Sequence, residues 1–267
     1  MKTIIVPIDF SESSVNALSF AAELSKRASA HLSIVNVLED GDEEKIKSKL
    51  IDLVTSLKKT FGTHLSCESL IARGSLIKGL QEVIDVQQPS LIVMGTNGAD
   101  NLKQVLLGSN TVNVIAKIKV PVLVIPEVAK FEDFLKKGKN RVVLATDLDE
   151  LENMNALDVL KKIAMIIIEP KVRVVNVRPK NTNLDFQSSM ERNALLSIFR
   201  PEIDAERATV FSGNVMSGIN FYLNEHEDTG LLAMIARDTG QLIQKHFTRE
   251  MATHSQFPLL ILHDVKA

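Results

Sequence analysis

Two glycine-bearing segments in the first half of the sequence have the residue types and spacing of a phosphate-binding loop. Residues 95–98 read GTNG, nine residues follow, and residues 108–111 read GSNT. Glycine has no Cβ, so a ligand can approach the main chain closely there. The second segment precedes a predicted helix at about 111–117, whose free N–H groups would face an anion, and Ser109 and Thr111 can add hydroxyl donors. Together the segments predict a phosphate cradle; a simple turn and an ordinary helix cap are the alternative for each segment alone.

The elements that must position this cradle alternate between strands and helices. Each predicted strand is continuously apolar, which is typical of a parallel sheet covered by helices on both faces. The first segment directly follows the fourth strand, at the carboxyl end where ligands bind in open α/β sheets. The predicted strands of the first half lie at 3–8, 32–38, 65–72, 90–94 and 120–126.

The pattern restarts after a polar, lysine-rich stretch at 127–140. Five segments of the second half match segments of the first in the same order, at separations of 137 to 140 residues. We therefore predict an α/β fold with two tandem open-sheet domains, each a five-stranded parallel, Rossmann-like sheet. The predicted boundaries are 1–128 for the first domain, 129–140 for a linker and 141–267 for the second domain. The matched pairs are 3–11 with 141–149, 34–37 with 174–177, 71–74 with 210–213, 91–94 with 231–234, and 120–126 with 257–263.

The glycine spacing resembles the signature of the universal stress protein family, in its ATP-binding subgroup. That signature is Gly, two residues, Gly, nine residues, Gly and then Ser or Thr, and Gly95, Gly98, Gly108 and Ser109 meet it at every position. The ends of the first and second predicted strands also resemble the family. The resemblance covers the whole chain as two copies and implies an adenine nucleotide alpha hydrolase-like fold in each.

The resemblance also implies a ligand, ATP, with Mg²⁺ on its phosphates, although the sequence contains no recognisable metal cage. Main chain near Asp9 and Val37 would hold the adenine, Pro7 and Gly95 would lie near the ribose, and the two loop segments would hold the phosphates. No catalytic or metal-ligating residue is assigned. The implied nucleotide contacts are Pro7, Ile8, Asp9, Val37, Met94, Gly95, Gly98, Gly108, Ser109, Asn110 and Thr111.

The corresponding loop of the second half departs from this signature. Ile235 replaces the first glycine and Asp238 the second, and residues 246–249 (HFTR) replace the later Gly-Ser region. Ile235 would add bulk and Asp238 would repel phosphate, so we expect no ATP there. Basic residues of this segment could bind another anion, and solvated surface charge is the alternative. Those residues are Arg237, Lys245 and Arg249.

Bulk properties exclude several classes of protein. The formal net charge is −2 at pH 7 and the pI about 6.3, so no basic surplus favours nucleic acid. The single cysteine, Cys67, permits no intrachain disulfide and fits a reducing compartment. The N-terminal apolar run is interrupted by Pro7 and Asp9, and no run approaches a membrane span. We expect a cytoplasmic protein without a membrane partner, and the six histidines have no metal-ligand spacing.

Three functions stay open from the sequence. The first is an ATP-binding stress-response regulator with an unknown protein partner. The second is an enzyme, either a slow ATPase or a phosphoryl- or nucleotidyl-transfer catalyst, but the loop lacks a placed base and a cationic clamp, so we expect at most weak ATP hydrolysis. The charged candidates near the loop are only Asp9, Asp100 and Lys103. The third is a non-catalytic interaction module with a vestigial site.

The last predicted strand of each half is strongly apolar, at 120–126 and 257–263. An open sheet edge of this kind recruits other chains, because its backbone groups are unpaired. Pairing of the two final strands would cover both edges. We therefore predict an intrachain pseudo-dimer in which the second half is the permanent partner of the first; a dimer of whole chains stays open.

Overall fold

The fold is described by a computed structural model over residues 1–96, 108–136, 138–146, 155–179, 194–237 and 257–264. These residues divide into two units, the first ending at Phe131 and the second beginning at Glu132. Within the described residues, no helix combines the length and the apolar character that a membrane span requires.

The first unit alternates strands and helices from its start. Ser11 begins the first helix as predicted, because its side chain accepts a hydrogen bond from the Ser14 N–H. The elements are β1 (Thr3–Pro7), α1 (Glu12–Ala28), β2 (His31–Leu38), α2 (Glu43–Phe61), β3 (Cys67–Arg73), α3 (Leu76–Gln87), β4 (Leu91–Gly95), α4 (Ser109–Lys117) and β5 (Val122–Ile125).

The strands of the first unit form one parallel sheet in the order β3-β2-β1-β4-β5. Strands β4 and β5 are buried along their whole length, which explains their uninterrupted apolar sequence. Helix α1 contacts α2, and α3 contacts α4. The right-handed rule for crossovers places the first pair on one face of the sheet and the second pair on the other. The predicted α/β fold is confirmed.

The second unit has its own parallel sheet in the order β10-β9-β6-β7-β8. A short helical segment at 194–199, α7, precedes β8. Helix α8 contacts β7 and β8, and α6 contacts β10. The elements are α5 (Phe131–Phe134), whose first residue is the last of the first unit, β6 (Arg141–Ala145), α6 (Asn155–Ala164), β7 (Lys171–Arg178), α7, β8 (Asp204–Phe211), α8 (Val215–Glu225), β9 (Thr229–Arg237) and β10 (Leu259–Asp264).

Strand registers in the two units correspond residue by residue. Ile4 pairs with Leu91 in the first unit, and Val142 pairs with Leu231 in the second. The third strands correct the sequence alignment by one residue, because Arg73 aligns with Leu38 just as Phe211 aligns with Arg178. The matched segment at 71–74 therefore corresponds to 209–212, not to 210–213.

The extra residue of the second unit lies between β8 and α8. Gly79 in α3 and Gly218 in α8 keep equivalent positions after it, since a Cβ on either would meet a valine of the second strand. The distance to Val37 Cγ1 would be 2.8 Å, and that to Val177 Cγ1 would be 2.5 Å. Both glycines let a helix lie close against its sheet.

The stretch predicted as a polar linker buries three apolar side chains, those of Ala129, Phe131 and Phe134. The Asn16 side chain of α1 donates to the Ala129 carbonyl at 3.1 Å. The Phe131 ring meets the Phe20 ring edge to face, with centroids 4.9 Å apart. Side chains of the first unit therefore fix the beginning of this stretch. The polar average composition of the stretch gave no indication of these contacts.

Candidate functional site

The candidate site lies at the carboxyl ends of β1, β2 and β4. Strand β1 has β2 on one side and β4 on the other, so the direction of the crossovers reverses between β1 and β4. Such a switch point leaves a crevice at the carboxyl edge of the sheet, where ligands of open α/β folds bind. The topology brings the predicted nucleoside residues to this one edge: Pro7, Ile8, Asp9, Val37, Met94 and Gly95.

Gly95 is required by a contact inside the protein. A Cβ at this position would lie 2.1 Å from Ser13 Oγ and 2.7 Å from the Ser13 carbonyl oxygen. The start of α1 therefore occupies the space that a side chain at this position would need. This close approach of α1 to β4 is a second reason for glycine here, and the predicted ligand contact of Gly95 stays a prediction.

The start of α4 is tied to the end of β4 by two hydrogen bonds. The Gly108 N–H donates to the Thr96 carbonyl at 2.5 Å, and the Thr111 hydroxyl donates to the Gly95 carbonyl at 2.9 Å. The Thr111 hydroxyl is therefore engaged by Gly95 in this structure, and its predicted role as a phosphate donor stays a prediction. Its main-chain N–H still belongs to the first turn of the helix.

That first turn keeps donors for an anion. Gly108 is the N-cap residue of α4 and has no side chain to accept a hydrogen bond from the turn. Ser109 and Asn110 are exposed. Their N–H groups and that of Thr111 are the terminal amides that a helix cannot satisfy internally. They lie at the positive end of the helix dipole, next to the carboxyl end of β4. The second predicted glycine, Gly98, lies outside the described residues.

A buried hydroxyl below this turn has no hydrogen-bond partner. Thr96 is 2% exposed, and its Oγ1 makes no hydrogen bond to any described residue. An unmet buried hydroxyl is costly and points to a missing partner. Thr96 was not among the predicted site residues. Its position between two glycines in GTNG was the feature of the sequence that could have indicated it.

Asp9 stabilises the turn that follows β1. Its carboxylate accepts hydrogen bonds from the Ser11 N–H at 3.0 Å and from the Ser11 hydroxyl at 2.6 Å. Burial raises the pKa of the Asp9 carboxyl, but hydrogen bonds from Ser11 and Ser14 outweigh burial and hold that pKa below its ordinary value. The carboxylate is therefore charged at neutral pH and organises the entry to α1.

Phe10 adopts a left-handed backbone conformation in the same turn, with φ of 66°. A bulky residue in this region is an outlier that costs about 1–3 kcal/mol, and such strain concentrates at functional sites. The Phe10 ring lies below the Lys49 ammonium of α2, 5.0 Å from ring centroid to Nζ. The sequence gave no sign of this conformation.

The main chain of Val37 reaches past the end of its neighbouring strand. Peptide groups along a strand point alternately to the two sides, and the Val35 carbonyl accepts from the Ile8 N–H at 2.9 Å, on the β1 side. Val37 lies two residues further along β2, so its N–H and C=O also point to the β1 side. Beyond Ile8, no main-chain hydrogen bond between described residues joins β1 to β2. This is a donor and acceptor pair at the sheet edge.

The same edge of the second unit is built differently. Ile235 takes the place of Gly95 in the register, as predicted. Asn176 repeats Asn36: the Asn176 side chain donates to the Thr146 carbonyl at 2.9 Å and accepts from Arg178 Nε at 2.7 Å. Arg237 is the last residue of β9. The other residues named for this loop lie outside the described residues: Asp238, Lys245, His246, Phe247, Thr248 and Arg249.

Metal ligands of the usual protein types do not gather anywhere in the described part of the chain. No group of three or more His, Cys, Asp or Glu side chains there could hold an ion. The charged candidates Asp100 and Lys103 lie outside the described residues.

The fold and this edge define an open, parallel α/β protein with a candidate anion site at its switch point. The model of the universal stress protein family matches residues 1–126. The match covers the first unit, which is therefore similar to the universal stress protein family over almost its whole length.

Individual proteins are similar to part or all of the chain. A universal stress protein of Methanocaldococcus jannaschii is 24% identical over 46% of this chain and 94% of its own length. An uncharacterised protein of Schizosaccharomyces pombe is 30% identical over 52% of this chain, and the chain spans only 25% of that protein. The crystal structure of a universal stress protein from Archaeoglobus fulgidus covers 98% of both chains, with a TM-score of 0.67 and 18% identity. This last likeness concerns the fold.

Proposed function

We propose that the first unit binds ATP, with Mg²⁺ on the phosphates, and that the chain is a stress-response regulatory protein. In this proposal the second unit is the internal dimerisation partner of the first. The observation that carries the proposal is the start of α4, where a glycine N-cap leaves the terminal amides without a side-chain acceptor. These amides adjoin the buried Thr96 hydroxyl, which makes no hydrogen bond to any described residue.

A phosphate group meets both needs at once. Its oxygens accept hydrogen bonds from the amides of Ser109, Asn110 and Thr111, and its charge is favoured by the helix dipole. The Thr96 hydroxyl is two residues beyond Met94 and is held beside α4 through the hydrogen bond from Gly108 to the Thr96 carbonyl. In this proposal the Thr96 hydroxyl donates to the same phosphate group.

The nucleoside would lie along the ends of β1 and β2. The Val37 N–H and C=O form a donor and acceptor pair that matches the hydrogen-bonding edge of an adenine ring. Nucleotide binding occurs in the family, since one universal stress protein was solved in complex with cAMP. ATP is proposed here because the α4 cradle suits a polyphosphate tail.

A regulatory role is favoured over catalysis by the chemistry of the described edge. The charged side chain there is Asp9, and its carboxylate is already engaged by two hydrogen bonds from Ser11. Efficient phosphoryl transfer needs a positioned base and cations around the phosphates. Binding would therefore act by stabilising one conformation or one partner-binding surface, and hydrolysis would be slow.

The double variant Gly108→Val with Ser109→Ala tests the proposal by calorimetric titration with Mg-ATP. Valine blocks the approach of a phosphate and alanine removes a donor, so measurable binding of Mg-ATP should disappear. The circular dichroism spectrum should stay that of the folded wild-type protein. Ser75→Ala is the matched control, because Ser75 also begins a helix and makes no side-chain cap hydrogen bond. Unchanged affinity in the double variant would remove the phosphate role from α4.

A further inference from the structure

One buried acceptor of the first unit lacks the donor that its counterpart in the second unit receives. Asn36 is 6% exposed, and its Nδ2 donates to the Ile8 carbonyl at 2.7 Å. Its Oδ1 makes no hydrogen bond to any described residue. In the second unit, the equivalent Asn176 oxygen accepts from Arg178 Nε at 2.7 Å.

The difference arises from a single position two residues further along the strand. Side chains two apart in a strand point to the same face, so Arg178 can reach back to Asn176. The register places Leu38 at the position of Arg178, because Leu38 pairs with Arg73 as Arg178 pairs with Phe211. Leucine has no donor, so the first unit retains the acceptor and lacks its partner.

The orphan acceptor lies beside the proposed nucleoside site. Asn36 directly precedes Val37, and its amide is held against Ile8 at the point where β1 ends. A buried amide oxygen without a donor costs free energy, which a ligand donor would recover on binding. The second unit demonstrates that a planar nitrogen donor fits against this oxygen, since the Arg178 guanidinium does so there.

We propose that Asn36 Oδ1 accepts a hydrogen bond from a donor group of the bound nucleoside, which makes Asn36 a specificity-determining residue of the first unit. This proposal rests on the proposed function, in which the first unit binds a nucleotide. The donor is an N–H or O–H of the nucleoside, because ionised phosphates only accept. Two groups supply it: the exocyclic amine of the base and a ribose hydroxyl. A site with a buried acceptor rejects analogues that lack the donor.

The test is a calorimetric comparison of four nucleotides on the full chain. ATP is compared with inosine triphosphate, which carries a carbonyl in place of the amine, and with the 2′-deoxy and 3′-deoxy forms of ATP. The wild-type chain should bind at least one of these analogues about tenfold more weakly than ATP. Inosine triphosphate also loses the proposed contact with the Val37 carbonyl, so the donor to Asn36 is identified by the analogue whose penalty changes in the variants of Asn36 and Leu38.

Two variants separate the Asn36 contact from effects on folding. Leu38→Arg gives the first unit the arrangement of the second. The new guanidinium should donate to Asn36 Oδ1, which is then no longer free to accept from a ligand, so ATP affinity should fall about tenfold. The penalty for the affected analogue should then disappear. Asn36→Leu should abolish the same penalty. Arg178→Leu is the matched control in the second unit and should change neither affinity nor discrimination.

The outcomes distinguish this inference from the proposed function. If the wild type binds ATP and all three analogues equally, or if Leu38→Arg keeps the full discrimination, the role of Asn36 is refuted while nucleotide binding stands. If the wild type binds no nucleotide at all, the proposed function fails and the role of Asn36 fails with it.

Discussion

Replacing Gly95 with alanine should destabilise the protein through a collision at the base of the candidate site. The added Cβ would lie 2.1 Å from Ser13 Oγ, 2.7 Å from the Ser13 carbonyl oxygen and 2.8 Å from its carbonyl carbon. The hydroxyl can rotate away, but the main-chain atoms can separate from β4 only if the start of α1 shifts. Overpacking of this kind costs about 1–3 kcal/mol, and we expect the upper half of this range because backbone must move.

Urea unfolding followed by circular dichroism measures this loss as a lower midpoint at unchanged slope. In thermal unfolding, a loss of about 2–3 kcal/mol should lower Tm by about 5–10 °C for a chain of this size. Gly213→Ala is the matched control, since a Cβ at Gly213 meets nothing within 4 Å. Adding Ser13→Gly to Gly95→Ala should recover only part of the loss. If Gly95→Ala is as stable as the control, the close contact between α1 and β4 is refuted.

Three further predictions concern the second unit, catalysis and assembly. Asp228 accepts two hydrogen bonds from Arg141, at 2.6 and 3.0 Å; burial raises the pKa of its carboxyl, but Arg141 outweighs burial and the net pKa is lowered. A carboxyl whose pKa is lowered by folding stabilises the fold at pH values above its ordinary pKa, and this stabilisation is lost as the pH falls and the carboxylate is protonated. The free energy of unfolding should therefore drop between about pH 5 and pH 3. Asp228→Asn should lose about 1–2 kcal/mol at pH 7 and show a shallower drop, and an equally steep drop would contradict the ion pair. Steady-state phosphate release should be slow, and turnover on the order of 10 per second would favour an enzyme. A fragment of residues 1–131 expressed alone should self-associate and be captured by the remaining chain, because its last strand is strongly apolar; a monomer indifferent to the second half would refute the predicted pseudo-dimer.

The strands and the loop position were predictable because they depend on local signals. Continuous apolar runs gave all five strands of the first unit to within a few residues, and SESS gave the start of α1 at Ser11. The sequence pattern also placed Gly95 at the end of the fourth strand and Gly108 before a helix, as the structure has them. The burial of Phe131 and Phe134 was not predicted, because the stretch is rich in lysine and burial there depends on particular contacts rather than on composition.

The reasons behind individual site residues were not predictable, because they depend on contacts distant in sequence. Ser13 is one reason for glycine at Gly95, and that contact requires β1 and β4 to be neighbours. The Thr111 hydroxyl is bound to the Gly95 carbonyl 16 residues away, which the helix pattern alone cannot reveal. Asn36 recurs in both halves as Asn176, yet the missing donor appears only when Leu38 is compared with Arg178 in the registered strands.

The central claim is that one nucleotide site exists per chain, in the first unit. Calorimetric titration of the purified full chain with Mg-ATP measures both affinity and stoichiometry. One complete cradle and one altered loop predict one nucleotide bound per chain, with no second binding event at higher concentration. Two equivalent sites per chain, or no heat of binding at any ATP concentration up to the millimolar range, would contradict the claim.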